Sequence, residues 1–320
     1  MIKFYASDRD LLKLVPEDVA IKLEDLVWID MLSPTVEDEA RIEEMLGIDI
    51  PTREEMHKLD LSSRLYEENG AAYMTATLVT KADSQLPESH SVTFILTDKL
   101  LVTVRYSEPK AFLAYCARSE RVMRSNYDHK AIFFGLMEAI TDRLAEVLDG
   151  AGDNIDEISR RIFVPHSAKK PDHQEVLETI GMKGDMISKA RESLVSLSRA
   201  LSFASQNSQL KLSRAELHRL ETIIKDIDAL SDHDSFLSGK LNFLLDATLG
   251  MISIEQNAII KIFSVAAVMF MPPTLVASIY GMNFHSMPEL SWHLGYPLAL
   301  GLMGLSAFLP YRYFKKKGWL

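Results

Sequence analysis

Only one cysteine, Cys116, occurs in this chain of 320 residues. An intrachain disulfide framework is therefore excluded, and a reducing compartment suits roughly the first 260 residues, with Cys116 expected as a buried structural thiol. Enzyme signatures are missing as well. Gly150 and Gly152 lack the third glycine of a dinucleotide fingerprint, and neither a Gly-Lys-Ser/Thr phosphate loop nor a His-Glu-x-x-His helix occurs. No catalytic residue is expected. Basic charge is the minority, with Lys and Arg numbering 35 against 45 Asp and Glu and a net charge of -10, which excludes a nucleic-acid partner and favours cations. The opening MIKFYASDRDLLKL has acids where a secretory leader needs an apolar core, so no cleaved leader is expected.

Basic charge is also absent in one specific place. No Lys or Arg lies between Lys261 and Arg312. Within that interval, about twenty uncharged residues near 262–281 match a hydrocarbon core of roughly 30 Å, and a second uncharged run, 294–311, is at the short end of spanning length. Two membrane spans are expected, joined by an outer loop at 282–293. Lys261 on one side and Arg312, Lys315, Lys316 and Lys317 on the other place both termini in the cytoplasm by the positive-inside rule. Two helices cannot enclose an aqueous path alone, so a pore would require an oligomer.

Upstream, Ser213 with Glu216 reads as a capping box that opens one helix continuing to about Gly281. Pro272-Pro273 interrupts it, and a kink is expected there. Along this helix a stripe spaced three and four residues apart holds Asn242, Asp246, Gly250, Ser253, Asn257, Ile260, Ser264, Ala267, Met271, Thr274 and Ser278. Two readings compete for these small and polar side chains. One is a close helix seam. The other is a lumen lining, in which Thr and Asn offer neutral oxygens and Met and Ile form dry constrictions. Asn257 and Asp246 are too polar for a tight seam and favour the lumen.

At the outer end of the first span stand Tyr280, Gly281, Met282 and Asn283. An Asn carboxamide accepts hydrogen bonds from the waters of a hydrated divalent cation without the charge that would trap it. Asn283 is expected as the selectivity ligand, Met282 as its packing, and Gly281 as a bend at a helix end where φ > 0 is common. Glu289 is the loop's one carboxylate. Asp226, Asp228, Asp232 and Asp234 are candidate regulatory metal ligands, although they do not match an EF-hand and a solvated helix face is the plainer reading.

Before the membrane, 1–128 is expected as an α/β domain. VWIDM and AAYMTATLVT read as strands, SVTFILTDKLLVTVRY as a hairpin turning at Asp98-Lys99, and PTVEDEARIEEMLG and PKAFLAYCARSE as helices. Residues 129–261 are expected as long helices that include the stalk, and 262–320 as the transmembrane domain.

YGMNF and MPEL between paired C-terminal spans, FMPPTLVAS before them and YFKKKGWL after them resemble the CorA family of magnesium channels. The likeness is close from about Asn242 to Leu320 and looser at VWIDMLSPT. It implies a homopentameric funnel in the cell's inner membrane, among lipid, with Asn283 at a selectivity ring, Asn257, Met271 and Thr274 along the pore, and Asp246 in an acidic stalk ring. It implies Mg2+ as both cargo and regulator. His285, where many relatives carry an acid, keeps cobalt, nickel and zinc open as cargo. A membrane-tethered scaffold or sensor is the other alternative.

Overall fold

The computed structural model describes residues 1–8, 11–16, 22–57, 64–84, 86–119, 127–163, 172–282 and 287–319. The chain divides into two compact units, Met1–Leu245 and Asp246–Leu320.

The first unit is built on a mixed sheet of strands β1 (Ile2–Asp8), β2 (Leu11–Val15), β3 (Leu26–Leu32), β4 (Leu65–Glu68), β5 (Ala71–Thr80), β6 (Glu88–Leu96) and β7 (Leu101–Arg105), in the order β2-β1-β3-β7-β6-β5-β4. All neighbours are antiparallel except β3 and β7, which run parallel with Trp28 opposite Leu101. The β6–β7 hairpin closes where Thr97 and Leu100 exchange hydrogen bonds around Asp98-Lys99. Strands β1, β2 and β4 have no counterpart in the sequence reading.

Both sheet faces are covered, which explains why VWIDM shows no clean alternation. Ile29, Met31, Val102 and Val104 turn to one face, where they join Ile42 of α1 (Val36–Leu46) and Met56 of α2 (Arg53–Met56). Trp28, Asp30, Thr103 and Arg105 turn to the other, below Phe112 of α3 (Lys110–Ser119). There Trp28 Nε1 donates to Thr103 Oγ1 at 3.0 Å, and Thr103 Oγ1 donates to Asp30 Oδ1 at 2.8 Å. Arg105 grips the same carboxylate with Nε at 2.9 Å and Nη2 at 2.8 Å.

Helices α4 (His129–Phe163) and α5 (His173–Gln206) follow, and Ser196 of α5 bonds the Thr77 backbone of β5. Helix α6 then runs from Arg214 to Tyr280, 67 residues through both prolines. Its start is the expected capping box. Ser213 N donates to Glu216 Oε2 at 2.6 Å, and Glu216 N to Ser213 Oγ at 3.3 Å. In the first unit its buried positions, Leu220, Ile223, Ile227, Asp234, Leu237, Leu241 and Leu244, keep a three-four spacing.

The second unit holds the remainder of α6 and α7 (Gly295–Lys316). Among the described residues α6 alone is both long and apolar enough to cross a membrane. Helix α7 covers the second uncharged run, yet Tyr296, Pro297, Pro310 and Arg312 dilute its apolar content.

Candidate functional site

The membrane-length part of α6 has two opposed faces. Val265 is 2% exposed, and Met269, Pro272, Pro273, Val276 and Tyr280 are half-buried. At 100° per residue these lie about 160° around the helix from the stripe of small and polar residues. On the stripe, Asp246, Gly250, Ser253, Asn257, Ile260, Ser264, Ala267, Met271, Thr274 and Ser278 are all exposed, Ile260 at 59% and Met271 at 68%. A tight seam against another helix of the same chain is therefore not made along this stripe. The side chains flanking it, Phe263, Phe270, Leu275 and Ile279, are large, apolar and exposed, and Ile262 is exposed on the opposite face.

The chemistry of the exposed stripe is that of a neutral acceptor. Thr274 Oγ1 donates its hydrogen to the Phe270 carbonyl at 2.7 Å, so both its lone pairs stay available as acceptors. Asn257 adds a carboxamide, while Ile260 and Met271 add exposed apolar bulk. Asp246, the first residue of the second unit, contributes the stripe's one carboxylate.

At its C-terminal end, α6 tightens as it stops. Gly281 N donates to the Ala277 carbonyl at 2.9 Å, and Met282 N donates to the Ile279 carbonyl at 3.2 Å. The expectation of a positive φ at Gly281 is incorrect, since it is not among the glycines in the left-handed region. Glycine is favoured instead by proximity, because a Cβ there would stand 3.1 Å from the Ala277 oxygen. Tyr280 is half-buried and Met282 is 46% exposed. Asn283 and His285 lie outside the described residues, and Glu289 falls in the 3-10 turn Pro288–Ser291.

The four candidate regulatory acids do not converge. Asp226, Asp228 and Asp232 are exposed on α6, whereas Asp234 is fully buried and accepts a hydrogen bond from Arg191 Nε of α5 at 2.6 Å. Burial pushes the Asp234 carboxyl above its ordinary pKa, and the Arg191 guanidinium works against that shift. Among the described residues no group of three or more His, Cys, Asp or Glu side chains could hold a metal ion. Sequence reasoning missed the tie to Arg191, although counting the three-four spacing from Ile227 to Leu241 places Asp234 on the core stripe.

Comparison with known proteins agrees with this architecture. The description CorA-like Mg2+ transporter protein matches residues 24–316. Over the full length of both chains, the sequence is 37% identical to the magnesium transport protein CorA of Pasteurella multocida and 33% identical to that of Salmonella typhimurium. The complete structure of the CorA magnesium transporter from Methanocaldococcus jannaschii superposes with a TM-score of 0.80 at 19% identity, covering 100% of this chain and 99% of that one. A mixed-sheet unit, a long helix into the membrane segment and a C-terminal helix are thus the shared fold, and the chain belongs to the CorA-like Mg2+ transporter family, whose members are membrane transporters and not enzymes.

Proposed function

We propose that this chain is one subunit of a magnesium channel of the inner membrane, assembled as a homopentamer with the exposed stripe of α6 turned to a common axis. The observation that carries this reading is the opposition of faces on α6. In its membrane-length part the one fully buried position, Val265, and the half-buried ones lie opposite the stripe, while every stripe position from Asp246 to Ser278 is left exposed in the single chain. Full-length relatives at 33–37% identity are named magnesium transport proteins, which favours magnesium as cargo.

In this reading both α6 and α7 cross the membrane with the termini inside. The ion approaches hydrated, and a ring of Asn283 carboxamides, set by Gly281 and Met282, accepts hydrogen bonds from its water shell. Tyr280 braces the ring, and Glu289 supplies the loop's negative field. Passage along Ser278, Thr274, Met271, Ala267, Ser264, Ile260 and Asn257 towards Asp246 is passive. It is driven by the membrane potential at about 4.6 kcal/mol per 100 mV for a double charge. Cytoplasmic Mg2+ closes the path by bridging acids between copies, drawn from the exposed Asp226, Asp228 and Asp232. Asp234 is committed to Arg191 and stands outside that set.

Asn283→Ala in liposomes tests the assignment. Loss of Mg2+ entry with assembly intact is expected, and uptake unchanged from wild type removes Asn283 from its role. Zinc, cobalt or nickel as cargo is the second reading, favoured by the imidazole of His285 in the loop. Competition decides between them, because hexaammine-cobalt mimics a hydrated ion and should block a magnesium path, whereas block by bare zinc alone supports the second reading. Wild-type liposomes that admit no Mg2+ at any internal concentration would instead favour a tethered scaffold.

A further inference from the structure

The inner end of the second unit carries basic charge that the channel reading uses only to set its topology. From Asn257 to Trp319 there are five basic residues, Lys261, Arg312, Lys315, Lys316 and Lys317, and one acid, Glu289. Glu289 precedes α7, whose 22 residues rise about 33 Å, so it stands at the opposite end of that helix from the lysines. None of the five basic groups forms an ion pair among the described residues.

These residues belong to an ordered turn. Gly318, at φ +68, ends α7, and Trp319 N donates back to the Phe314 carbonyl at 3.1 Å. The Trp319 ring then stacks on Phe314 at 5.3 Å, and Lys261 of α6 lies over the same ring at 5.9 Å. Lys315 and Lys317 lie over Tyr311 and Tyr313 at 5.8 and 5.2 Å. The turn thus brings Lys261 of α6 to the ring that closes α7.

Lysines at a helix C-terminus are favoured by the helix dipole, and that explains Lys315 and Lys316 alone. It does not explain Lys261 on a different helix, nor the half-exposed Trp319 and Tyr313 interleaved with the cations. Amphipathic rings and long basic stems side by side at the end of an apolar helix suit the headgroup layer of a bilayer. Like charges this dense call for an anion, and the exposed rings favour one that carries acyl chains.

We propose that this folded-back C-terminal turn, with Lys261, Arg312 and Lys315 to Lys317, binds the phosphate headgroup of an anionic phospholipid. The inference rests on the topology proposed above, which puts this end at the cytoplasmic leaflet.

The test uses the full chain in neutral detergent, offered phosphatidylglycerol and phosphatidylcholine in equal amounts, with bound lipid counted by native mass spectrometry. Phosphatidylglycerol is expected to be retained at least tenfold over phosphatidylcholine. The combined variant Lys315→Gln, Lys316→Gln, Lys317→Gln should lose roughly 100-fold in phosphatidylglycerol binding, about fivefold per lysine, with phosphatidylcholine unchanged. If that variant does not assemble, Lys261→Gln should still lose about fivefold. Equal retention of the two lipids, or retention unaffected by these variants, overturns the proposal. So does displacement by inorganic phosphate at the concentration at which the lipid binds, which would identify free phosphate as the ligand. Because the readout is lipid and not transport, this inference and the channel reading fail separately.

Discussion

Replacing Arg105 by Met probes a buried ion pair in the first unit. Asp30 and Arg105 are each 2% exposed, and the carboxylate accepts three hydrogen bonds, two from Arg105 and one from Thr103. Removing the guanidinium leaves a buried carboxylate with the Thr103 hydroxyl alone, a loss of about 3–5 kcal/mol. The pair Asp30→Leu, Arg105→Met removes both charges and should recover most of that loss, since apolar replacement of a buried ion pair is commonly neutral or stabilising by about 1–4 kcal/mol. Thermal unfolding of the full chain measures this. With roughly 2–4 °C per kcal/mol for a large domain, the single variant should melt about 6–20 °C lower and the double variant close to wild type. A single variant within about 2 °C of wild type, or a double variant no better than the single, would refute the assignment of Arg105 as the counterion on which Asp30 depends.

Three further outcomes follow from local geometry. Burial holds the His129 imidazole below its ordinary pKa, and its Nε2 is buried with no hydrogen-bond partner among the described residues. An unfolded chain therefore binds the proton first, so stability is full above about pH 6.5 and falls as pH drops below it. His129→Gln should flatten that slope in unfolding midpoints taken against pH, and an unchanged slope counts against it. Gly281→Ala should assemble yet slow Mg2+ entry, because the added methyl presses on the Ala277 carbonyl at 3.1 Å, and Gly281→Val should slow it more. Ser213→Ala removes one half of the capping box, and hydrogen exchange at the first turn of α6 should quicken about fivefold, matching a loss of about 1 kcal/mol.

Much of the architecture was legible because it rests on local chemistry. AAYMTATLVT coincides with β5, and the Ser213–Glu216 box marks the start of α6, since β-branched and aromatic strand formers and capping are written in adjacent residues. The edge strands escaped notice for a physical reason. In β2, LLKLV shows exposed positions beside buried Leu12, and β4 is four residues with no buried side chain, so neither carries a strong pattern. The stripe on α6 was readable as a period, but which face the chain itself buries depends on tertiary placement. The tie of Asp234 to Arg191 was hidden among its neighbouring acids, because that partner lies 43 residues away.

The claim that the exposed stripe borders shared water is tested most directly by thiol accessibility in liposomes, with Cys116 replaced by Ser. Ser264→Cys and Thr274→Cys should react with a membrane-impermeant, positively charged thiosulfonate and lose Mg2+ entry as they do. Phe263→Cys and Phe270→Cys, on the flank, should remain unmodified. Equal reaction at all four positions, or faster reaction at the phenylalanine sites, would contradict the account.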